Sequence, residues 1–343
     1  MSGTDGTSHS DECIERPLVT FAVKAYRQEK VVREAIESAF AQTYEPLEII
    51  LSDDCSPDGT FRVMEKMAAT YDGPHRVILN RNPRNLGIAG HTRRIWELAS
   101  GRLISGCAGD DIAEPDKVAR LAGAWAAGDG RITAVHSRVT KIDAEGREIG
   151  GHAPLQSVID DPSPLNLARS RINPIGATAL YDRERLAARF GPLSEHALIE
   201  DGPLFFRAAL LGEIAYVDAA LVRYRVGGVS DLKPRSPGYD FHYGDRMRDM
   251  VWRVANARSF LEDMEKVDFP DKKECLAACL RFIERSDFPI RLWRASPLGR
   301  IGMIPEGVRR SLREGNGSAA LLALKYALGP LYIRLYDWKH QRG

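Results

Sequence analysis

The chain carries almost no net charge. Its 48 Lys and Arg stand against 47 Asp and Glu, a formal +1 over 343 residues. No basic run is interleaved with stacking aromatics, so nucleic-acid binding is not expected. Cysteine is scarce, with five residues at positions 13, 55, 107, 275 and 279. An odd count at scattered spacings argues against a disulfide framework and for a reducing compartment. Cys275 and Cys279 lie four apart with no second ligand pair after them, which predicts a shared helix face rather than half a zinc site. No stretch reaches the roughly 18 uncharged apolar residues of a spanning helix. Met1 to Arg16 lacks the apolar centre of a secretion signal and reads as a disordered lead. No Gly-x-Gly-x-x-Gly follows the first apolar run, which weakens a dinucleotide-binding reading. Ser230 has neither a Gly-x-Ser-x-Gly context nor a nearby His-Asp arrangement, so hydrolase chemistry is unsupported.

What is present is a repeating alternation. Leu18 to Val23 is a β-branched apolar run, and Glu29 to Gln42 follows with apolar residues at helical spacing. Leu47 to Leu51 is a second strand. Thr60 is placed to cap a helix running to about Thr70. Val77 to Leu79, a helix over His91 to Ala99, and a strand from Arg102 to Cys107 continue the pattern. Strands alternating with helices predict a Rossmann-like, right-handedly wound, mostly parallel sheet with helices on both faces. Farther on, Ile132 to Val139 and Gly176 to Tyr181 read as strands, residues 151 to 170 as a loop over the site, and Ile214 to Tyr224 as a late strand pair. From about Tyr239 the pattern is helical and arginine-rich, a C-terminal helical extension.

Ligands of such sheets bind beyond the carboxyl ends of the strands. Asp53-Asp54 and Asp110-Asp111 both fall at such ends. An isolated Asp-Asp is usually a solvated turn or a helix cap, but two pairs at neighbouring strand ends converge on one crevice. Hard carboxylate oxygens suit a divalent cation that neutralises a leaving diphosphate. Glu200-Asp201, just ahead of another predicted helix, offers a later carboxylate able to take the proton of an attacking hydroxyl. His91 and Arg93 open a helix beside the crevice, where an anion is favoured, although both also read as surface residues. His136, Trp96 and Trp125 read as core, and His196 sits in the loop before Asp201.

The segments Pro17 to Tyr26, Glu34 to Tyr44, Leu47 to Thr60, Asn82 to Gly87, Ala99 to Gly101 and Gly109 to Lys117 together resemble family 2 glycosyltransferases of the GT-A fold. The resemblance spans about residues 17 to 230 and implies roles. Ala25 and Tyr26 would lie at the nucleobase, Asp54 would hydrogen-bond it, and Asp53 would support that loop. Asp110 would reach the ribose and Asp111 would bind Mg²⁺ or Mn²⁺ at the diphosphate; from its place at a helix start, rather than from the resemblance, Arg93 would add charge to the nucleotide. Asp201 would be the catalytic base of an inverting transfer, with Glu200, Arg225 and His196 toward acceptor or diphosphate. The donor would be a UDP-, dTDP- or GDP-sugar, the acceptor a glycan or a lipid-linked sugar, and the setting surface polysaccharide or lipopolysaccharide synthesis. Three departures stand out. Lys24-Ala25-Tyr26-Arg27 replaces the usual Pro-Thr-Tyr-Asn, Ala108 occupies the place of the first aspartate of Asp-x-Asp, and no histidine follows Tyr224-Arg225. A sugar nucleotidyltransferase or a non-catalytic scaffold on the same fold are the rival readings.

The organisation expected is a lead over 1–16, a catalytic domain over 17–235 with nucleotide-binding half 17–115 and acceptor half 116–235, and a helical region over 236–343. Residues 281 to 343 hold twelve Lys or Arg against five Asp or Glu. Such helices either pack on the catalytic domain with a solvated basic face, the simpler reading, or rest on an anionic membrane. The placement expected is therefore cytoplasmic, with peripheral contact at the inner face of the plasma membrane as the variant.

Overall fold

The computed structural model describes residues 16–152, 159–227, 245–315 and 317–327. Four strands, β1 (Val19–Ala25), β2 (Leu47–Asp53), β3 (Arg76–Arg81) and β4 (Leu103–Ala108), lie in the order β3-β2-β1-β4 and are all parallel. β1 and β2 are almost wholly buried, as expected of strands covered on both faces. Phe21 and Val23 face helices α1 (Val32–Phe40), α2 (Thr60–Ala69) and α4 (Lys117–Ala127). Ala22 and Ile50 face the other way, toward α3 (Gly87–Leu98), α6 (Arg183–Phe190) and α7 (Asp201–Leu211). Register pairs Ala25 with Asp53 and Lys24 with Ala108. The carboxyl ends of three strands therefore finish at one level, and the chain order reverses between β1 and β4, which opens a crevice there.

Beyond β4 the sheet is mixed. β8 (Leu180–Asp182) runs antiparallel to both β4 and β6 (Ile132–Ile142), and β6 pairs in parallel with β9 (Glu213–Arg225). β5 (Ile112–Ala113) pairs with β9, and β7 (Glu148–His152) with β6.

Several expectations are corrected. The late strand pair is one long strand, β9. Gly176–Thr178 is a 3₁₀ turn preceding β8 rather than part of a strand. Within 151 to 170 the structure has helix α5 (Pro164–Ser170), started by Pro164 and capped by the Ser163 hydroxyl; its Leu167 and Ala168 pack in a core rather than over the crevice. Thr60 is the first residue of α2 rather than its cap, and its amide donates to the Asp58 carboxylate. The N-terminal lead up to residue 15, Ser230 and the aromatic basic end from residue 328 lie outside the described residues.

Of the C-terminal helices α8 (Asp245–Glu265), α9 (Lys272–Arg294), α10 (Pro297–Gly302), α11 (Ile304–Glu314) and α12 (Ser318–Ala327), the first two share a core with α7, and the last three gather on α8 and α9. Phe206 of α7 stacks on Phe260 of α8 at 4.0 Å. Beside them Arg207 and Asp263, both buried, form a two-pronged ion pair at 2.8 and 2.9 Å, and Arg207 also donates to the carbonyls of Gly191 and Pro192. Cys275 and Cys279 share a buried face in the same core and are free thiols. No described helix is long and apolar enough to cross a membrane.

Removing one member of a buried ion pair leaves the other charge without compensation. Asp263→Ala is expected to cost about 3–5 kcal/mol of stability. Equilibrium unfolding in urea checks this, and an unchanged midpoint would mean that the two carbonyls alone suffice for Arg207.

Candidate active site

A cavity of about 740 Å³ opens at the carboxyl ends of β1 and β4. Its walls include Ala25, Tyr26, Asp54, Asp111, Glu200 and Asp201. Three stretches of chain far apart in sequence thus bring carboxylates to one place.

Asp54 sits at the end of β2. Its carboxylate accepts from Asn82 Nδ2 (2.8 Å) and from the backbone amides of Leu86 (2.9 Å) and Gly87 (3.0 Å). It therefore caps α3 from outside the helix and fixes the turn where Gly87 has φ +72°. A carboxylate offers about four acceptor positions, so one stays open for a ligand donor. Asp53 points away from the cavity. It is fully buried, accepts from the Ser56 amide (2.9 Å) and lies 3.5 Å from Arg81, so it holds the loop that presents Asp54. Tyr26 stands at the cavity wall with the Arg27 guanidinium 5.3 Å over its ring.

Asp111 follows β4. One carboxylate oxygen accepts from the Arg225 amide at 3.0 Å. Burial, and then the neighbouring Asp110, push its pKa up to about 8. A cation is what such a pair calls for, and hard carboxylate oxygens fit Mg²⁺ or Mn²⁺. Among the described residues no three acidic, imidazole or thiol groups converge into a metal site complete in itself, so a bound diphosphate would have to supply the remaining ligands. Asp110 is buried beside Asp111 but is not part of the cavity wall.

Asp201 is the first residue of α7, where the helix dipole favours an anion. The Gly176 amide donates to it, and a side chain at residue 176 would collide with its carboxylate. Glycine in the 3₁₀ turn is thus required by close approach to Asp201. Burial, and then adjacent Glu200, raise the pKa of Asp201 to about 7. The turn itself is pinned by Lys117, whose buried ammonium donates to Gly106 O (2.6 Å) and Ala177 O (2.7 Å). Burial pulls the pKa of Lys117 down to about 8.

Besides Asp110, three of the residues expected at the site are not brought to it. Arg93 turns to the loop before α7, bonding Ser194 O (3.1 Å) and Glu195 (3.2 Å). His196 is exposed and faces Glu262 at 3.4 Å. Arg225 lies beneath the Asp110-Asp111 turn, and four of its five side-chain donors are taken by Asp110 O, Asp143 O, Ala144 O and Glu34. Its work is to tie β9 to that turn. His91 does line the cavity, but its ring is bonded to Ser52 at 2.7 Å and burial lowers its pKa to about 4, so it brings no charge to an anion.

Sequence reasoning missed Trp252, which reaches the cavity wall from α8, and gave Trp96 to the core alone, whereas it is half-buried and also lines the cavity. It also noted Lys24 only as a departure from the usual Pro-Thr-Tyr-Asn, with no role assigned. In the structure Lys24 pairs with Glu200 inside the cavity and lies 3.4 Å from the Thr92 hydroxyl. Its unusual place at the end of an apolar strand was the available signal.

Residues 20–189 match the model of the family described as Glycosyl transferase family 2. The chain is 29% identical over 239 residues to the succinoglycan biosynthesis protein ExoO of Rhizobium meliloti, covering 69% of this chain and 64% of that protein. It is 34% identical over 102 residues to the putative glycosyltransferase EpsE of Bacillus subtilis, covering 30% of this chain and 36% of that one. The match thus spans less than two thirds of either relative. Among solved structures, S. aureus TarS 1–349 in complex with UDP superposes with a TM-score of 0.57 at 16% identity, covering 91% of each chain. The mannosyltransferase PcManGT from Pyrobaculum calidifontis in complex with GDP-Man and Mn2+ gives 0.53 at 17% identity, covering 94% of this chain and 88% of that one. These two likenesses bear on the fold, which is GT-A. The domain match and the relatives that share it identify the chain as a member of glycosyl transferase family 2.

Proposed function

We propose that the chain is an inverting glycosyltransferase that moves a sugar from a nucleotide-diphosphate donor to a hydroxyl of a glycan or lipid-linked acceptor, in surface polysaccharide or lipopolysaccharide synthesis. One observation carries this reading: Asp54, Asp111 and Asp201, from separate segments, line one cavity at the sheet's switch point. The names of the relatives and the UDP and GDP-Man bound by the structural neighbours support it. A catalytic domain over 17–235, with nucleotide half 17–115 and acceptor half 116–235, is completed by the helical region 236–343.

Ala25, Tyr26 and the open acceptor position of Asp54 hold the nucleobase, with Asp53 supporting their loop. Asp111 serves the diphosphate end and would hold Mg²⁺ or Mn²⁺, while Asp110, buried behind the wall, backs it from within the same turn. Such an ion neutralises the charge that builds on the leaving diphosphate. Asp201 accepts the proton of the acceptor hydroxyl as its oxygen bonds the anomeric carbon, while the bond from that carbon to the diphosphate oxygen breaks on the opposite face. A scaffold role gives no reason for carboxylates from three separate segments to line one cavity.

Asp201→Asn is expected to reduce turnover by roughly 10²–10⁴-fold while nucleotide affinity, measured by calorimetry, stays nearly constant. Full transfer in that variant would remove Asp201 from its role. Since the base must be ionised to act, turnover is expected to climb with pH through about 7 and then level off; a rate independent of pH between 5 and 8 contradicts this. The metal is tested without turnover. UDP binding should strengthen when Mn²⁺ is added, and Asp111→Asn should lose at least about tenfold of that gain.

Peripheral membrane contact through the C-terminal helices rests on exposed leucines beside arginines. Leu298 and Leu312 are 82% and 78% exposed, Leu321 and Leu324 are also exposed, and Arg309 and Arg313 lie between them in sequence. Co-sedimentation with phosphatidylglycerol vesicles, lost in high salt and in Leu312→Glu/Leu321→Glu, is the expected result. Equal recovery with uncharged vesicles would count against an electrostatic anchor.

A further inference from the structure

Lys24 is the cation that faces the later carboxylates from inside the cavity. It leaves the end of β1 and pairs with Glu200, 176 residues away, at the head of α7. Only 26% of its side chain and 10% of that of Glu200 are exposed, so solvent screens the pair weakly. On the sheet, Lys24 stands in register between Ser52 of β2 and Ala108 of β4. Neither neighbour is charged, so nothing beside it in the sheet competes with Glu200 for the ammonium.

The groups around Asp201 are different in kind. Glu200 precedes it on the same chain, the Gly176 amide donates to it, and the buried Tyr181 of β8 approaches it from the sheet. The His91 ring, on α3, is uncharged near neutral pH. α8, packed against α7, contributes Asn256 at Gly202 and Trp252 at the cavity wall, neither of which titrates. Lys24 acts on Asp201 only through space, while its hydrogen bonds go to Glu200 and to the Thr92 hydroxyl. Two adjacent carboxylates in one enclosure compete for a proton, and environments that differ decide which one works as the base.

We propose that Lys24 is the positioning residue for proton transfer: by holding Glu200 in an ion pair it leaves Asp201 as the carboxylate free to accept the proton of the incoming hydroxyl. This deepens the glycosyl-transfer reading and rests on it. In the step, the acceptor O–H bond breaks, its proton passes to Asp201, and the oxygen's electron pair forms the new glycosidic bond. The diphosphate departs with the electrons of the old one. Glu200 keeps its partner throughout. Without Lys24 the two carboxylates compete for one proton, and Asp201, which already titrates near pH 7, carries it for more of the time at neutral pH.

The test needs no substrate. Protein labelled with ¹³C at the aspartate side-chain carboxyl is titrated by NMR, with Asp201→Asn assigning the signal. Lys24→Met should raise the pH at which Asp201 is fully ionised by about one unit, or about tenfold in proton affinity. Lys24→Arg should restore it, and Glu200→Gln should lower it. The double variant Lys24→Met/Glu200→Gln should fall between the two single ones. In turnover, Lys24→Met should move the acid limb of the pH profile upward by the same amount, with kcat recovering at high pH and donor KM little changed. A Lys24→Met midpoint equal to the wild type, or shifts of the same sign in Lys24→Met and Glu200→Gln, overturns the proposal. Should Lys24→Met fail to fold, Lys24→Gln, which removes the charge but keeps a polar side chain, takes its place in the titration. Retained transfer in Asp201→Asn would instead sink the glycosyl-transfer reading, so the two failures are distinguishable.

Discussion

Four carboxylates, those of Asp54, Asp111, Glu200 and Asp201, face one cavity, and the rest of the site is arranged by what their burial costs. A buried carboxylate must be neutralised, paired or hydrogen-bonded. Each of the four meets that demand differently. Asp54 takes backbone amides of the loop before α3, Asp111 takes the Arg225 amide, Glu200 takes Lys24 and Asp201 takes the Gly176 amide. Every one of these partners belongs to another segment, so compensating the charge also fastens the loops around the cavity. Asp111 and Asp201 remain the least satisfied, with raised pKa values of about 8 and 7. Those are the two positions where a bound cation or proton would most relieve the cost of burial.

Lys117 shows how far this fastening reaches. Its ammonium, fully buried, spans from β4 to the 3₁₀ turn at Ala177. That turn carries Gly176, and Gly176 holds Asp201. A helix that follows the Asp110-Asp111 turn in sequence therefore helps to set the position of a carboxylate some ninety residues later. The same logic places Arg225 under the acidic turn. A guanidinium whose donors are nearly all engaged with carbonyls and Glu34 is a fixed strut and has little left to offer a diphosphate.

What could be read from the sequence follows from range. Buried parallel strands are short β-branched runs, so β1, β2 and β4 were legible, and the Asp-Asp pairs were visible at their ends. The Glu200-Asp201 pair before a helix was legible for the same local reason. Side-chain direction was not. Whether Arg93 points to the cavity or to Ser194, and whether Arg225 is free or engaged, depends on contacts formed between segments roughly a hundred residues apart. Helix α5 was hidden because seven residues among prolines show little periodicity, although the Ser163-Pro164 start was a usable signal. β9 was read as two strands because its partial exposure along most of its length blurs the alternation that marks a single one.

The domain match ends at residue 189, yet Glu200, Asp201 and Trp252 lie beyond it. The cavity therefore has one wall inside the matched stretch and one beyond it. The first is built from the ends of β1, β2 and β4. The far side is built from α7 and from α8, which is held to α7 by the Arg207–Asp263 pair and the Phe206–Phe260 stack. Arg207 is nearly two turns along the helix that begins with Asp201, and Gly202 packs directly on Asn256 of α8. A displacement of α8 would thus move both the Trp252 wall and the helix that carries the candidate base. If the chain transfers a sugar as proposed, features that select the acceptor should therefore be sought in α7 and the C-terminal helices, whose packing sets this wall.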